Sequence, residues 1–132
     1  MITIDTSIVI RIAVGDNQKQ RAAGLALLDK HRVFISKTEL LETEWVLRSR
    51  YKLKPAEIAD FLEFLMAAEG IVIEDATTVQ HAFEYYDSGA DFADALHLAS
   101  ADEIPLYTLD KAFCRSPVRK GIAPKVEIVQ VV

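Results

Sequence analysis

Five acids stand where side chains could do more than solvate a surface: Asp5, Glu42, Asp91, Asp94 and Asp110. Asp5 follows the apolar run "ITI", Glu42 lies inside "LLETEWVLRSRY", Asp91 and Asp94 open "DFADALHLA", and Asp110 closes "YTLD". Carboxylates drawn together repel one another, so a cluster of them needs positive charge in its midst. Mg²⁺ or Mn²⁺, which prefer oxygen ligands, would supply it. Each acid also has a plain structural use. Asp is a favoured N-cap, so Asp5, Asp91 and Asp110 can each start a helix. Asp94 suits a first turn, where the helix dipole favours negative charge. Glu42 can be surface charge paired with Arg48 or Lys37. Caps, however, do not require a Glu in mid-helix or several acids at one edge of a sheet.

The elements that must position these acids alternate between strand and helix patterns. "MITI" and "RVFIS" read as strands, each followed by helical periodicity, over 6–14 and 18–30 after the first and 37–51 after the second. Ser36 and Glu39 have the spacing of a capping box. Pro55 suits the first position of a helix closed by Gly70, and "IVI" (71–73) is a third strand. A helix after Asp75 ends at Ser88 and Gly89. The next, from Gly89 to Ser100, shows Phe92, Ala95, Leu96 and Ala99 as its apolar face. "PLYTLD" is a strand, a short helix lies near Lys111 to Cys114, and "KVEIVQVV" is the last strand. This order predicts one α/β domain over residues 1–132 with a mostly parallel sheet. In such sheets the functional crevice lies beyond the carboxyl ends of the strands, so Asp5, Glu42, Asp94 and Asp110 are expected at one edge.

Composition narrows the class. The 132 residues are 51% hydrophobic, which suits a packed globular fold and excludes disorder. Cys114 is the only cysteine, so no internal disulfide forms. Asp5 and Arg11 interrupt the apolar residues of the amino terminus, so neither a secretory leader nor a membrane span is expected, and the economical reading is a soluble, cytoplasmic protein. The net charge of −5 hides a segregation. Residues 1–54 hold ten Lys/Arg against six acids, 55–110 hold thirteen acids and no Lys or Arg, and 111–132 hold five Lys/Arg against one acid. An acidic centre between "RSRYKLK" and "KAFCRSPVRK" suits a metal flanked by phosphate-binding arms, although a solvated helical face has the same composition. Lys111, Arg115, Arg119 and Lys120 are the candidate phosphate contacts. His97, three residues after Asp94, can face the same crevice, with packing in an apolar helix as the ordinary alternative; His31 and His81 have no partner pattern. Trp45, Val46 and Leu47 read as core in part, with leftover apolar surface able to form a groove for a partner helix. Tyr85 and Tyr86 read as packing residues before base-stacking ones.

In their order and spacing, "IDTSIVI", "LLETEWVLRSRY", "GADFADALHLA" and "YTLDK" resemble the PIN domain, and more closely the VapC toxins of type II toxin–antitoxin pairs. The resemblance spans essentially the whole chain. It implies a three-layer α/β/α sandwich around a parallel sheet and a metal-dependent endoribonuclease acting on structured RNA such as tRNA or rRNA. It makes Asp5, Glu42, Asp94 and Asp110 the catalytic quartet that binds Mg²⁺ or Mn²⁺, with Asp91 as an additional acid one turn before Asp94. Thr6, Ser7 and Thr108 match positions that hold the carboxylates or nearby water. Ser7 stands where family members more often have Asn, and His97 where an aliphatic residue is usual. The implied partners are an RNA substrate, a VapB-like antitoxin and a second copy of the chain as homodimer.

Activated water attacking a phosphodiester would leave 5′-phosphate and 3′-hydroxyl ends. Two readings compete with the toxin. One is a housekeeping PIN nuclease of RNA maturation, which needs no antitoxin. The other is a non-enzymatic α/β signalling module, for which the acids are poorly placed: "ITIDTS" offers one acid where a receiver wants adjacent acids, and "IVIEDA" puts its pair after the wrong strand. A phosphatase of the aspartyl-nucleophile type would want Asp-x-Asp, but Ser7 fills the second place.

Overall fold

β1 (Ile2–Thr3) is two residues long, because Asp5 turns the chain into a helix in the computed structural model, which describes all 132 residues. The Asp5 carboxylate accepts the backbone N–H of Ser7 at 3.1 Å and caps α1 (Thr6–Ala13). α2 (Gln18–Lys30) starts on the side-chain oxygen of Asn17. β2 (Val33–Ile35) leads into α3 (Lys37–Ser49), capped by Ser36, whose hydroxyl accepts the Glu39 N–H. α4 (Pro55–Ala67) begins with proline, which has no N–H to leave unpaired, and β3 (Ile71–Ile73) follows. These elements form the first of two compact units, Met1–Ala76.

Its sheet runs β1-β2-β3, all parallel, with Ile2 opposite Val33 and Val33, Phe34 and Ile35 opposite Ile71, Val72 and Ile73. Parallel neighbours need long crossovers, and a pair of helices makes each one here. The central strand buries Val33 and Ile35 fully, and Val9, Leu40, Leu47, Ile58, Leu62 and Leu65 from the helices complete the core. α2 packs on α1 through Gly24. A Cβ there would lie 3.0 Å from Cγ1 of Ile12 and 3.3 Å from Cγ2 of Ile8, so the missing side chain is what lets these helices close together.

The second unit, Thr77–Val132, takes in nearly all of α5 (Ala76–Asp87), then α6 (Phe92–Ala101), β4 (Leu106–Thr108), α7 (Arg115–Arg119) and β5 (Val126–Ile128). β4 and β5 pair in parallel, Leu106 opposite Val126 through Thr108 opposite Ile128. The unit's core is aromatic. Tyr86 meets Phe92 edge-on at 5.3 Å between ring centroids, and Phe83 lies 6.1 Å from the same ring. Gly89, at φ +109°, makes the turn from α5 to α6 that a side chain would strain.

The α/β class with parallel strands is as the sequence indicated, with the strands in two ladders, of three and two. Several details differ. The short helix expected near Lys111 to Cys114 is a run of turns, and α7 starts only at Arg115. Cys114 explains this: the Asp110 carboxylate accepts the N–H of Ala112 at 2.8 Å as a helix cap would, but Cys114 adopts a left-handed conformation that blocks helix continuation. α4 ends at Ala67, three residues before Gly70, because Ala68 is already extended. On α6 the buried face is Phe92, Ala95, Leu98 and Ala99, so Leu98 takes the place expected for Leu96, which is half-buried.

Candidate functional site

In the first unit, Asp5 and Glu42 line one cavity of about 350 Å³. The strand–cap–helix transition delivers Asp5, and Glu42 projects from the second turn of α3; both are exposed. The hydroxyl and backbone N–H of Ser7 hold the Asp5 carboxyl below the usual carboxylate range, so Asp5 is ionised at neutral pH. Thr6 and Ser7 line the same cavity, as do Ile10, Arg11, Trp45, Val46, Arg50 and Tyr51. The pairing imagined for Glu42 does not occur. Arg48 forks onto Glu44, Nε to Oε2 at 2.9 Å and Nη2 to Oε1 at 3.4 Å, and Lys37 reaches Asp75 at 3.0 Å.

In the second unit, Asp94 feels the charges of Asp91 and Asp110. Asp91 caps α6 by accepting the Asp94 N–H at 3.2 Å. The Asp94 carboxyl is pushed above the ordinary carboxylate range, chiefly by burial, then by the charges of Asp91 and Asp110, with His97 pulling the other way. Asp110 is oriented from both sides: its N–H donates to Oγ1 of Thr108 at 3.0 Å, and its carboxylate accepts from Ala112. His97 is exposed rather than packed, within electrostatic reach of Asp94. Cys114 is buried, and burial followed by Asp94 and Asp91 pushes its thiol up to about 12, which leaves it without nucleophilic character at neutral pH. Lys111, Arg115, Arg119 and Lys120 are all exposed; Arg115 donates to the Lys111 carbonyl at 3.3 Å.

Within neither unit do three His, Cys, Asp or Glu side chains stand at metal-holding spacing. The chemistry of the donors nonetheless fits a hard divalent cation. They are carboxylate oxygens throughout, and the repulsion felt by Asp94 has no cationic partner in an ion pair to relieve it.

A family model described as the PIN domain matches residues 2–117. The chain belongs to the PIN domain family. No curated protein and no solved structure matched it. PIN domains are generally metal-dependent nucleases, usually served by divalent ions, and the matched region of this PIN domain contains all five acids. It contains Lys111 and Arg115 as well, whereas Arg119 and Lys120 lie beyond it. No helix of this PIN domain is long and apolar enough to cross a membrane.

One feature of α3 was not read from the sequence: Glu44 and Thr43 are buried, at 2% and 0% exposure, while of the three residues expected as core in part Leu47 is buried and Trp45 is left half exposed. The signal was present in the spacing: Leu40, Thr43, Glu44 and Leu47 fall at i, i+3, i+4 and i+7, one complete helical face. Glu44 and Arg48 at i, i+4 mark where that face meets solvent. Tyr85 and Tyr86 are buried, in keeping with packing roles.

Proposed function

We propose that this PIN domain is a Mg²⁺- or Mn²⁺-dependent endoribonuclease of the VapC toxin type, cutting structured RNA such as tRNA or rRNA. Asp5, Glu42, Asp94 and Asp110 are its metal-binding and catalytic acids, with Asp91 contributing charge beside Asp94. The observation that carries the reading is the chain's membership of a nuclease family, with all five acids inside the matched region. A bound divalent cation would lower the pKa of its water and neutralise phosphate charge. The protein's own part is orientation. Ser7 keeps Asp5 ionised and fixed, and Thr108 and Ala112 fix Asp110. Asp94 stands on a helix whose neighbouring residues Phe92 and Ala95 are buried, so its backbone is rigid. The crowding among Asp94, Asp91 and Asp110 gives the acids a reason to prefer a cation over an empty site. The proposed partners are a VapB-like antitoxin and a second copy of the chain, and the proposed compartment is the cytoplasm.

The test is cleavage of total RNA by the purified protein with Mg²⁺ or Mn²⁺ and with chelator, followed by sequencing of the new ends. We expect 5′-phosphate ends at discrete positions, abolished by chelator, and a loss of roughly 100-fold or more in Asp5→Asn and in Asp94→Asn, each with a retained cooperative melt. Unchanged cleavage in both variants would falsify the assignment. Growth arrest on expression without a partner gene supports the toxin, and its absence favours a housekeeping nuclease.

A further inference from the structure

Trp45 is the only tryptophan of the chain and it is half exposed. An indole is costly to leave in water, and nothing in the fold of α3 requires it there, because the buried face of that helix is Leu40, Thr43, Glu44 and Leu47. It stands one turn after Glu42 on α3 and lines the same cavity as Asp5 and Glu42. Tyr51 and Arg50 complete that end. Arg11 is committed: its Nη1 lies 2.8 Å from both carboxylate oxygens of Asp16 and 3.3 Å from the hydroxyl of Tyr51, so it holds the tyrosine in place. Arg50 is exposed and makes no ion pair.

The cavity therefore has two chemically different ends, carboxylates at one and an aromatic platform with an uncommitted guanidinium at the other. We propose that this second end is a nucleobase subsite, in which an unpaired base of the RNA stacks on Trp45 while Arg50 contacts an adjoining phosphate. The proposal rests on the ribonuclease reading and adds a substrate class to it: RNA whose nucleotide beside the cut is unstacked, as in a loop or bulge. Stacking on an aromatic platform tolerates any base, because every base has a π-face, so the subsite selects for single-strandedness rather than sequence. A volume of about 350 Å³ falls at the small end of the roughly 300–1,000 Å³ range of ligand pockets, in keeping with a single nucleotide unit. A docked protein helix fits less well at the acids, since Asp and Glu are depleted at the centre of a protein interface and this lining carries Asp5 and Glu42.

Because the tryptophan is unique, its emission reports on this position alone. The full-length protein is titrated, in chelator to prevent cleavage, with a short single-stranded oligoribonucleotide and with one of equal length and charge carrying abasic sites. Cleavage kinetics are measured separately on a loop-containing RNA. Expected results are quenching by the base-bearing strand well beyond that by the abasic strand, a roughly tenfold rise in KM for Trp45→Ala with kcat within about twofold, and recovery of most of the loss in Trp45→Phe. Equal quenching by both strands, no quenching by either, or an unchanged KM in Trp45→Ala overturns the subsite. Failure of the ribonuclease reading looks different: wild-type protein leaves RNA intact with metal present, whatever the fluorescence does.

Discussion

Asp94 is held in a position that costs the folded state something. Burial and the charges of Asp91 and Asp110 raise its pKa above the ordinary 3.8, so the folded protein grips this proton more tightly than the unfolded chain does. Stability contributed by the site is therefore undiminished at pH values below 3.8, falls as pH rises from there through the raised value, and stays reduced at neutral pH. Asp94→Asn removes the ionisable group. In metal-free buffer at pH 7 the variant should be more stable than wild type by about 0.5 kcal/mol after allowance for solvent screening, a rise of about 2 °C in Tm. The gain should shrink towards zero at pH 3. Thermal melts across pH 3–8 check both the sign and the window, and a variant that melts lower at pH 7 contradicts the crowding. The same substitution is expected to stop cleavage, so stability and activity move in opposite directions, as befits strained functional groups. The five acids could be singled out as candidates from residue type and spacing. Which of them repel could not be read that way, because burial and charge proximity depend on how α6 and the turn after β4 are folded.

At the scale of elements, the contact of α1 with α2 sets how Asp5 is presented, since Asp5 caps α1. Gly24 is the close-approach point, and Ile8 and Ile12 leave no room beyond it. Gly24→Val should cost about 1–3 kcal/mol by overpacking, seen as a lower urea midpoint with an unchanged slope. Gly24→Ala should be milder, because added helix propensity offsets part of the clash. An undiminished midpoint in Gly24→Val would show that the helices separate freely. Most helices were readable, α2 down to its end residues, because strong caps and periodicity coincide there. α7 was displaced by a different cause. Asp110 accepts the Ala112 N–H as a cap would, and it is the left-handed Cys114 that delays the helix by a turn, an event of local geometry that periodicity does not encode. On α3 the burial of Thr43 and Glu44 went unread, whereas the partial burial of Trp45, Val46 and Leu47 was legible.

Across the whole chain, charge is sorted by segment, and the family match runs from β1 to α7, through both compact units. The α/β class was legible because strand and helix patterns alternate from end to end. The division of the strands into ladders of three and two was not, since pairing partners are decided by tertiary packing. The absence of Lys and Arg over residues 55–110 carries a practical consequence for proteolysis. Trypsin cuts after those residues, and the bond between Lys54 and Pro55 resists it. Digestion should therefore leave a single fragment from Leu53 to Lys111 with Asp91, Asp94 and Asp110 intact on it. Mass spectrometry of the digest checks this, and any cut inside the fragment counts against it. The stretch is in effect a blank background. One lysine introduced at an exposed position of α4, α5 or α6 would create the sole tryptic site there, so its cutting rate would measure how often that turn opens.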